Sequence, residues 1–227
     1  MLATGNSNQP NPHIQQSIRV TADGLSFYSG PEAIVVDGPC TRLPLNQFDR
    51  ADAATVLQYL VPAKPEEPPR TALYNVLPEL EVVEIFGIET ALYEELKSQY
   101  PRHRFLGINS MVLETMWRHD RSLGNANRRM YAWQHGKNML VFYFSDEGLH
   151  SANTYTIENV DYAIYYALMM WRVYGLDPER DECLVIGDEA IAQGLQMFLR
   201  HTATLTPADI LGEVRTASGV PFEIAVL

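Results

Sequence analysis

The chain has 227 residues, 46% hydrophobic and 20% charged, with 28 Asp and Glu against 17 Lys and Arg, a formal charge of −11. This composition excludes a wholly disordered, collagen-like or disulfide-scaffold chain. So acidic a chain has no overall field to hold a nucleic-acid backbone or an anionic membrane surface.

The length lies between one large domain and two small ones. Residues 1–16 are polar and contain proline. They read as a disordered leader, and no basic start precedes an apolar run, so no secretory signal is expected. No window reaches the ~20 apolar residues of a membrane span; the longest candidate, 162–174, is too short and carries Arg172. Cys40 and Cys183 have no CxxC neighbours and read as reduced, structural thiols. A cytoplasmic location without membrane insertion is the expectation.

In chain order, residues 17–28 alternate around Asp23-Gly24, a hairpin signal because glycine accepts the positive φ of a tight turn. A third strand, 33–37, ends at Gly38-Pro39. Asp49 is an N-cap for a helix to Leu60, and the proline-rich stretch 62–70 is a loop. Strands are expected over 71–77 and 81–88, a helix over 89–100, a strand over 104–108 and a helix over 110–121. After a turn at 123–127 come strands 130–135, 139–144 and 149–157. A helix capped by Asn159 reaches Tyr174 and closes at Gly175. Strand 183–186 and helix 189–200 follow, with a terminal strand over 222–227. The joins Ile85-Phe86-Gly87-Ile88-Glu89-Thr90-Ala91 and Val185-Ile186-Gly187-Asp188-Glu189-Ala190-Ile191 look alike. Together with the element order they suggest an internal duplication. Hairpins followed by alternating helix and strand imply an α/β protein with mixed sheets flanked by helices.

The runs SIRVTADGLSFYSG, TRLPLNQF, FGIETALYEELKSQYP, LHSANTYTI, DYAIYYALMMWRVYGLDPE and CLVIGDEAI, in this order, resemble a bacterial family of uncharacterised proteins, a domain of unknown function. The resemblance spans about residues 17–205. That family is similar in fold to the actin-like ATPases, which are built from two ribonuclease H-like lobes. It implies lobe I over 17–123 and lobe II over 124–227, the latter with an irregular C-terminal segment. One fold hosts many functions, so the architecture follows from the resemblance more firmly than any activity.

An actin-like ATPase holds its nucleotide between two turns rich in Gly, Thr or Ser, with Asp residues on the hydrated magnesium and a Gly-rich helix start beneath. In lobe I the pattern falls on Ala22-Asp23-Gly24-Leu25, with Ala where the metal-holding Asp belongs and Leu in the hydroxyl slot. Lobe II offers two registers. Asp146-Glu147-Gly148-Leu149 keeps an Asp but adds Glu147, and Gln134-His135-Gly136-Lys137 loses the Asp and gains a Lys. The helix start is Gly187-Asp188-Glu189, where close like charges cost ~1 kcal/mol in water and several-fold more in a cleft. Asp23, Gly24, Asp146, Gly148 and Gly187 are therefore candidates for a vestigial nucleotide cleft.

His103, His119, His135, His150 and His201 show no metal-ligand spacing and read as surface residues, with no metal site implied. No serine sits in a Gly-x-Ser-x-Gly turn, and Cys183 lies inside an apolar strand. Among 14 Arg and 3 Lys, a cluster at Arg118, Arg121, Arg128 and Arg129 is either a docking face for an acidic partner or a surface paired with the chain's own acids. The helix over 162–174 is apolar nearly all round and reads as core; Tyr and Met are also enriched at interfaces. The function expected is a non-catalytic, actin-like scaffold without cofactor that binds a partner protein. The alternative is a weak or switch-type ATP-binding protein using magnesium.

Overall fold

The computed structural model describes residues 16–21, 24–124 and 127–210, and builds three sheets. The expected strand over 222–227 lies outside these residues, as do the leader and Asp23.

Strands β1 (Gln16–Thr21) and β2 (Gly24–Ser29) form the antiparallel hairpin expected at Asp23-Gly24. The chain then hops across β1, and Ser17 Oγ donates to Pro31 O at 2.6 Å in the crossing. Strand β3 (Ala33–Val36) pairs parallel to β1 on its other side, and β7 (Arg104–Gly107) pairs parallel to β3. The N-terminal sheet thus has the order β2-β1-β3-β7.

Between β3 and β7 the chain inserts a small antiparallel sheet. It comprises β4 (Cys40–Pro44), β5 (Arg70–Leu77) and β6 (Val82–Glu89) in the order β4-β6-β5, with helices α1 (Ala53–Leu60) and α2 (Thr90–Gln99). Strand β4 carries no alternating apolar pattern, and the sequence does not announce it. The insertion also separates the two joins that look alike. Gly87 lies within β6, opposite Ala72 in an antiparallel pair, whereas Gly187 follows a strand of a parallel pair. The two therefore occupy different settings, and their likeness does not mark equivalent positions.

Helix α3 (Ile108–Leu123) leads into the C-terminal sheet, formed by β8 (Arg129–His135), β9 (Asn138–Ser145), β10 (Gly148–Thr156), β11 (Glu182–Ile186) and β12 (His201–Thr204). Its order is β10-β9-β8-β11-β12, three antiparallel strands followed by two parallel ones. Helices α4 (Val160–Val173) and α5 (Glu189–Leu195) link and flank the parallel strands, and α6 (Pro207–Ile210) closes the described chain.

The period of two decides which face each strand residue covers. Along β8, Tyr131 and Trp133 join α3 in one core, while Met130 and Ala132 face α4 and α5 in another. In β3, Ala33 and Val35 meet the α3 core, and Ile34 and Val36 meet Phe86, Ile88 and Leu96 of the insertion. Helix α3 is thus packed between the N- and C-terminal sheets, and this buries Val112, Leu113, Thr115 and Met116 completely. Its burial on two sides also encloses His119, which is buried rather than on the surface as expected.

Helix α4 departs from its expectation. Ala163, Ala167, Met170 and Trp171 are buried, but Tyr162, Tyr165 and Val173 are 43%, 60% and 67% exposed. The helix lies on one face of the sheet with only α5 beside it, where Gly194 lets Ile164 approach, so its outer face remains uncovered among the described residues. No helix among these residues is long and apolar enough to cross a membrane.

Candidate functional site

The two larger sheets meet across a cleft of about 480 Å³, lined by Asp37 and Cys40 from one side, Trp133, His135, Asn138 and Thr154 from the other, and Asn109 from the start of α3. Arg19 sits beside it on β1, in a polar position of an alternating strand, yet is only 4% exposed. Its Nη2 lies 3.1 Å from His135 Nδ1 and 3.0 Å from His135 Nε2, close to both ring nitrogens, and Nε2 is in turn 2.7 Å from Asp37 Oδ2. The Trp133 ring stacks on the imidazole, with centroids 5.3 Å apart and planes at 13°. The histidine expected at the surface is thus a bridge between the two sheets. Its signal in the sequence was the hairpin turn it opens.

A second network holds the insertion in place. Glu84, on β6 between Val83 and Ile85, is completely buried. Its Oε1 accepts from Ser110 N at 3.1 Å and Ser110 Oγ at 3.0 Å, at the first turn of α3, where the positive helix end favours a carboxylate. Its Oε2 lies 3.0 Å from Arg42 Nη2 but off the N–H axis, a charge contact rather than a directed hydrogen bond. Burial raises the Glu84 pKa above the ordinary carboxylate value, and Arg42 and Ser110 oppose that rise. Gly107 is required here, because a Cβ would come within 2.5 Å of Glu84 Oε1. Arg42 Nη1 donates to Ala152 O on β10 at 3.3 Å, so the small sheet is tied to the C-terminal one. Asn109 Nδ2 lies 3.0 Å from Cys40 Sγ, and burial, with Glu84 nearby, pushes the Cys40 thiol up to about 12. Such a thiol is protonated and no nucleophile at neutral pH. Glu84 was legible as a lone carboxylate in an apolar strand, but its partners are distant in sequence.

The remaining candidates separate by the strand registers. Gly24 opens β2 opposite Thr21 with φ +128°, at the end of β1 next to Asp37, whose N donates to Val20 O at 3.0 Å. Gly187 follows Ile186, which pairs with Trp133, so it lies at the same end of its sheet as the turn at 136–137. It has φ +131°, and a Cβ there would meet Gln134 Cβ at 2.8 Å. Gln134 Oε1 accepts from Asp188 N at 3.0 Å, and Asp188 Oδ1 accepts from Ala190 N at 2.9 Å. The first donors of α5 are thus taken by side chains of the same chain. Asp146 and Gly148 stand at the other end of β9, roughly 25 Å away at the rise of a strand. There Gly148 packs on the Leu80 backbone, and the exposed Asp146 lies 3.7 Å from Arg121. Asp146 and Gly148 therefore share no site with Gly187. The turn beside Gly187 is Gln134-His135-Gly136-Lys137.

The arginine cluster is engaged within the chain. Arg118 contacts Glu79 and Glu114 at 3.5 Å, and Arg121 lies over the Trp117 ring at 4.7 Å. Arg128 contacts Asp181 at 2.5 Å, which raises its pKa. Arg129 is 7% exposed and contacts Glu182 and Asp120 at 2.9 and 3.4 Å.

The architecture defines the class first: this is the actin-like ATPase fold. A Bacteroides thetaiotaomicron protein with an actin-like ATPase fold and unknown function superposes with a TM-score of 0.72 at 22% identity, over 86% of this chain and 91% of that one. A PilM–PilN type IV pilus biogenesis complex superposes with a TM-score of 0.48 at 11% identity, over 86% of this chain and 78% of that one. The chain itself belongs to the family DUF3822, proteins of unknown function, which it matches over residues 28–201. No curated protein sequence matches it.

Proposed function

We propose that this protein is a non-catalytic member of the actin-like fold, a scaffold that binds another protein, with its ancestral nucleotide cleft closed by its own side chains. Lobe I comprises residues 17–123 and lobe II residues 124–227, and the two free thiols, Cys40 and Cys183, suit a reducing cytoplasm.

The observation that carries this reading is the end of the cleft around Gly187. Gln134 and Asp188 take the backbone donors a phosphate would use, and Arg19, His135 and Asp37 are joined to each other across the gap. A nucleotide would have to break these bonds, and its phosphates would meet the Asp188 and Glu189 carboxylates. Gly24 and Gly187 keep the glycine backbone of the ancestral turns without their ligands.

A second reading, a weak nucleotide-dependent switch, is favoured by the cleft itself, whose 480 Å³ suits a small molecule and whose turn carries Lys137. Thermal unfolding with millimolar ATP, with and without magnesium, separates the two. A ligand at about a hundred times its Kd adds about 2.7 kcal/mol, several degrees in Tm. The scaffold reading predicts no shift, and a magnesium-dependent rise would replace it with the switch.

A further inference from the structure

A cavity of about 900 Å³, separate from the interlobe cleft, forms a groove between the edges of β5 and β7. Both strands end their sheets and pair on one side only, β5 with β6 and β7 with β3. An open edge presents unpaired N–H and C=O groups to any extended chain that can reach it. At one point the gap is already spanned. Asn75 Nδ2 donates to Phe105 O at 3.3 Å, and Gly107 N donates to Asn75 Oδ1 at 2.7 Å. The side-chain amide of Asn75 thus does for β7 what one peptide group of a neighbouring strand would do. Phe105 O and Gly107 N of β7 are therefore already paired, and the edge that no other strand covers along the groove, among the described residues, is that of β5 over residues 72–77.

The lining fixes the chemistry of the occupant. The floor is apolar, from Tyr74, Phe105 and Leu106, with Val76 43% exposed at its edge. Around it stand Arg50, Lys97, Arg102 and Arg104, with His103, against Glu114. Four of the 17 cationic side chains of a chain with net charge −11 are gathered on this one groove. We propose that the groove takes an extended segment of a partner protein as an added strand, with carboxylates toward the basic rim and apolar side chains toward the floor. Such alternation is the natural period of a strand. This rests on the reading of the protein as a binding scaffold and names where and what it binds.

The test uses the full chain and fluorescence anisotropy with a labelled peptide of about nine residues alternating Glu and Val, long enough to cover a typical strand. Controls are the alternating Lys and Val peptide and the acidic peptide with alternate backbone nitrogens methylated. The acidic peptide should bind saturably, and Lys97→Glu with Arg102→Glu, both exposed sites, should weaken it about tenfold at unchanged Tm. Methylation should weaken it by a similar factor, since it removes strand hydrogen bonds. The proposal is overturned if no saturable binding occurs up to millimolar protein, if the lysine peptide binds as well, or if either change leaves affinity intact. It is equally overturned if a concentration-dependent dimer competes with the probe, which would make a second copy the occupant. A magnesium-ATP thermal shift on the same sample would overturn the scaffold reading separately, whatever the peptide does.

Discussion

Burial disfavours the charged form of Glu84, which sits at the junction of three elements. Removing the carboxylate in Glu84→Ala leaves Arg42 beside an apolar strand and Ser110 without its acceptor, a loss of about 3–5 kcal/mol by chemical denaturation. The linkage has a definite sign. With its pKa raised in the folded state, the folded protein holds a proton that the unfolded chain has already lost. The Glu84 contribution is therefore fullest below the unfolded carboxylate value, about 4.3, and declines as pH rises through the folded value. Glu84→Gln keeps an acceptor for Ser110 and removes the titration. The stability of the native chain relative to this variant should fall as pH rises, and a difference independent of pH would show that folding leaves the Glu84 pKa unshifted. His119 runs the other way, since burial lowers its pKa, so its contribution is present above the unfolded value and is lost as pH falls. At Gly187, alanine would need φ +131° and would press on Gln134. Gly187→Ala should cost about 1–3 kcal/mol in denaturant unfolding, whereas Gly136→Ala, with open space around it, should cost less.

Among the elements, α3 bears the most. It packs against both larger sheets, and Leu113→Ala or Met116→Ala, each at a fully buried position, should lower stability by about 2–5 kcal/mol. Tyr165→Ser on the outer face of α4 should stay within about 0.5 kcal/mol in the same assay. The hairpins, the caps at Asp49 and Asn159 and most helices were legible in the sequence, because turn chemistry and periodicity are local. Residues 40–44 were not, since β4 is held by its register with β6 and by Arg42, partners far along the chain. The apolar composition of α4 suggested burial all round. Composition reports what a helix can cover, and only the packing of neighbours decides how much of it is covered.

At the scale of the molecule, the mixed α/β, actin-like plan was readable from element order and the quoted motifs. The site was readable only in part. Gly24 and Gly187 lie at the cleft ends of their sheets, but Asp146 and Gly148 fall at the far end of β9, because sequence spacing cannot tell which of two consecutive hairpins faces a neighbouring lobe. The bridge from Arg19 through His135 to Asp37 joins residues 116 and 98 positions apart, and no local pattern encodes it. The central claim is that this cleft is closed by the chain itself. Titration calorimetry of magnesium-ATP into the full chain tests it most directly, with Gln134→Ala, which frees the Asp188 N–H, in parallel. The account predicts no saturable heat for the native chain at millimolar nucleotide. Stoichiometric binding by the native chain would contradict it.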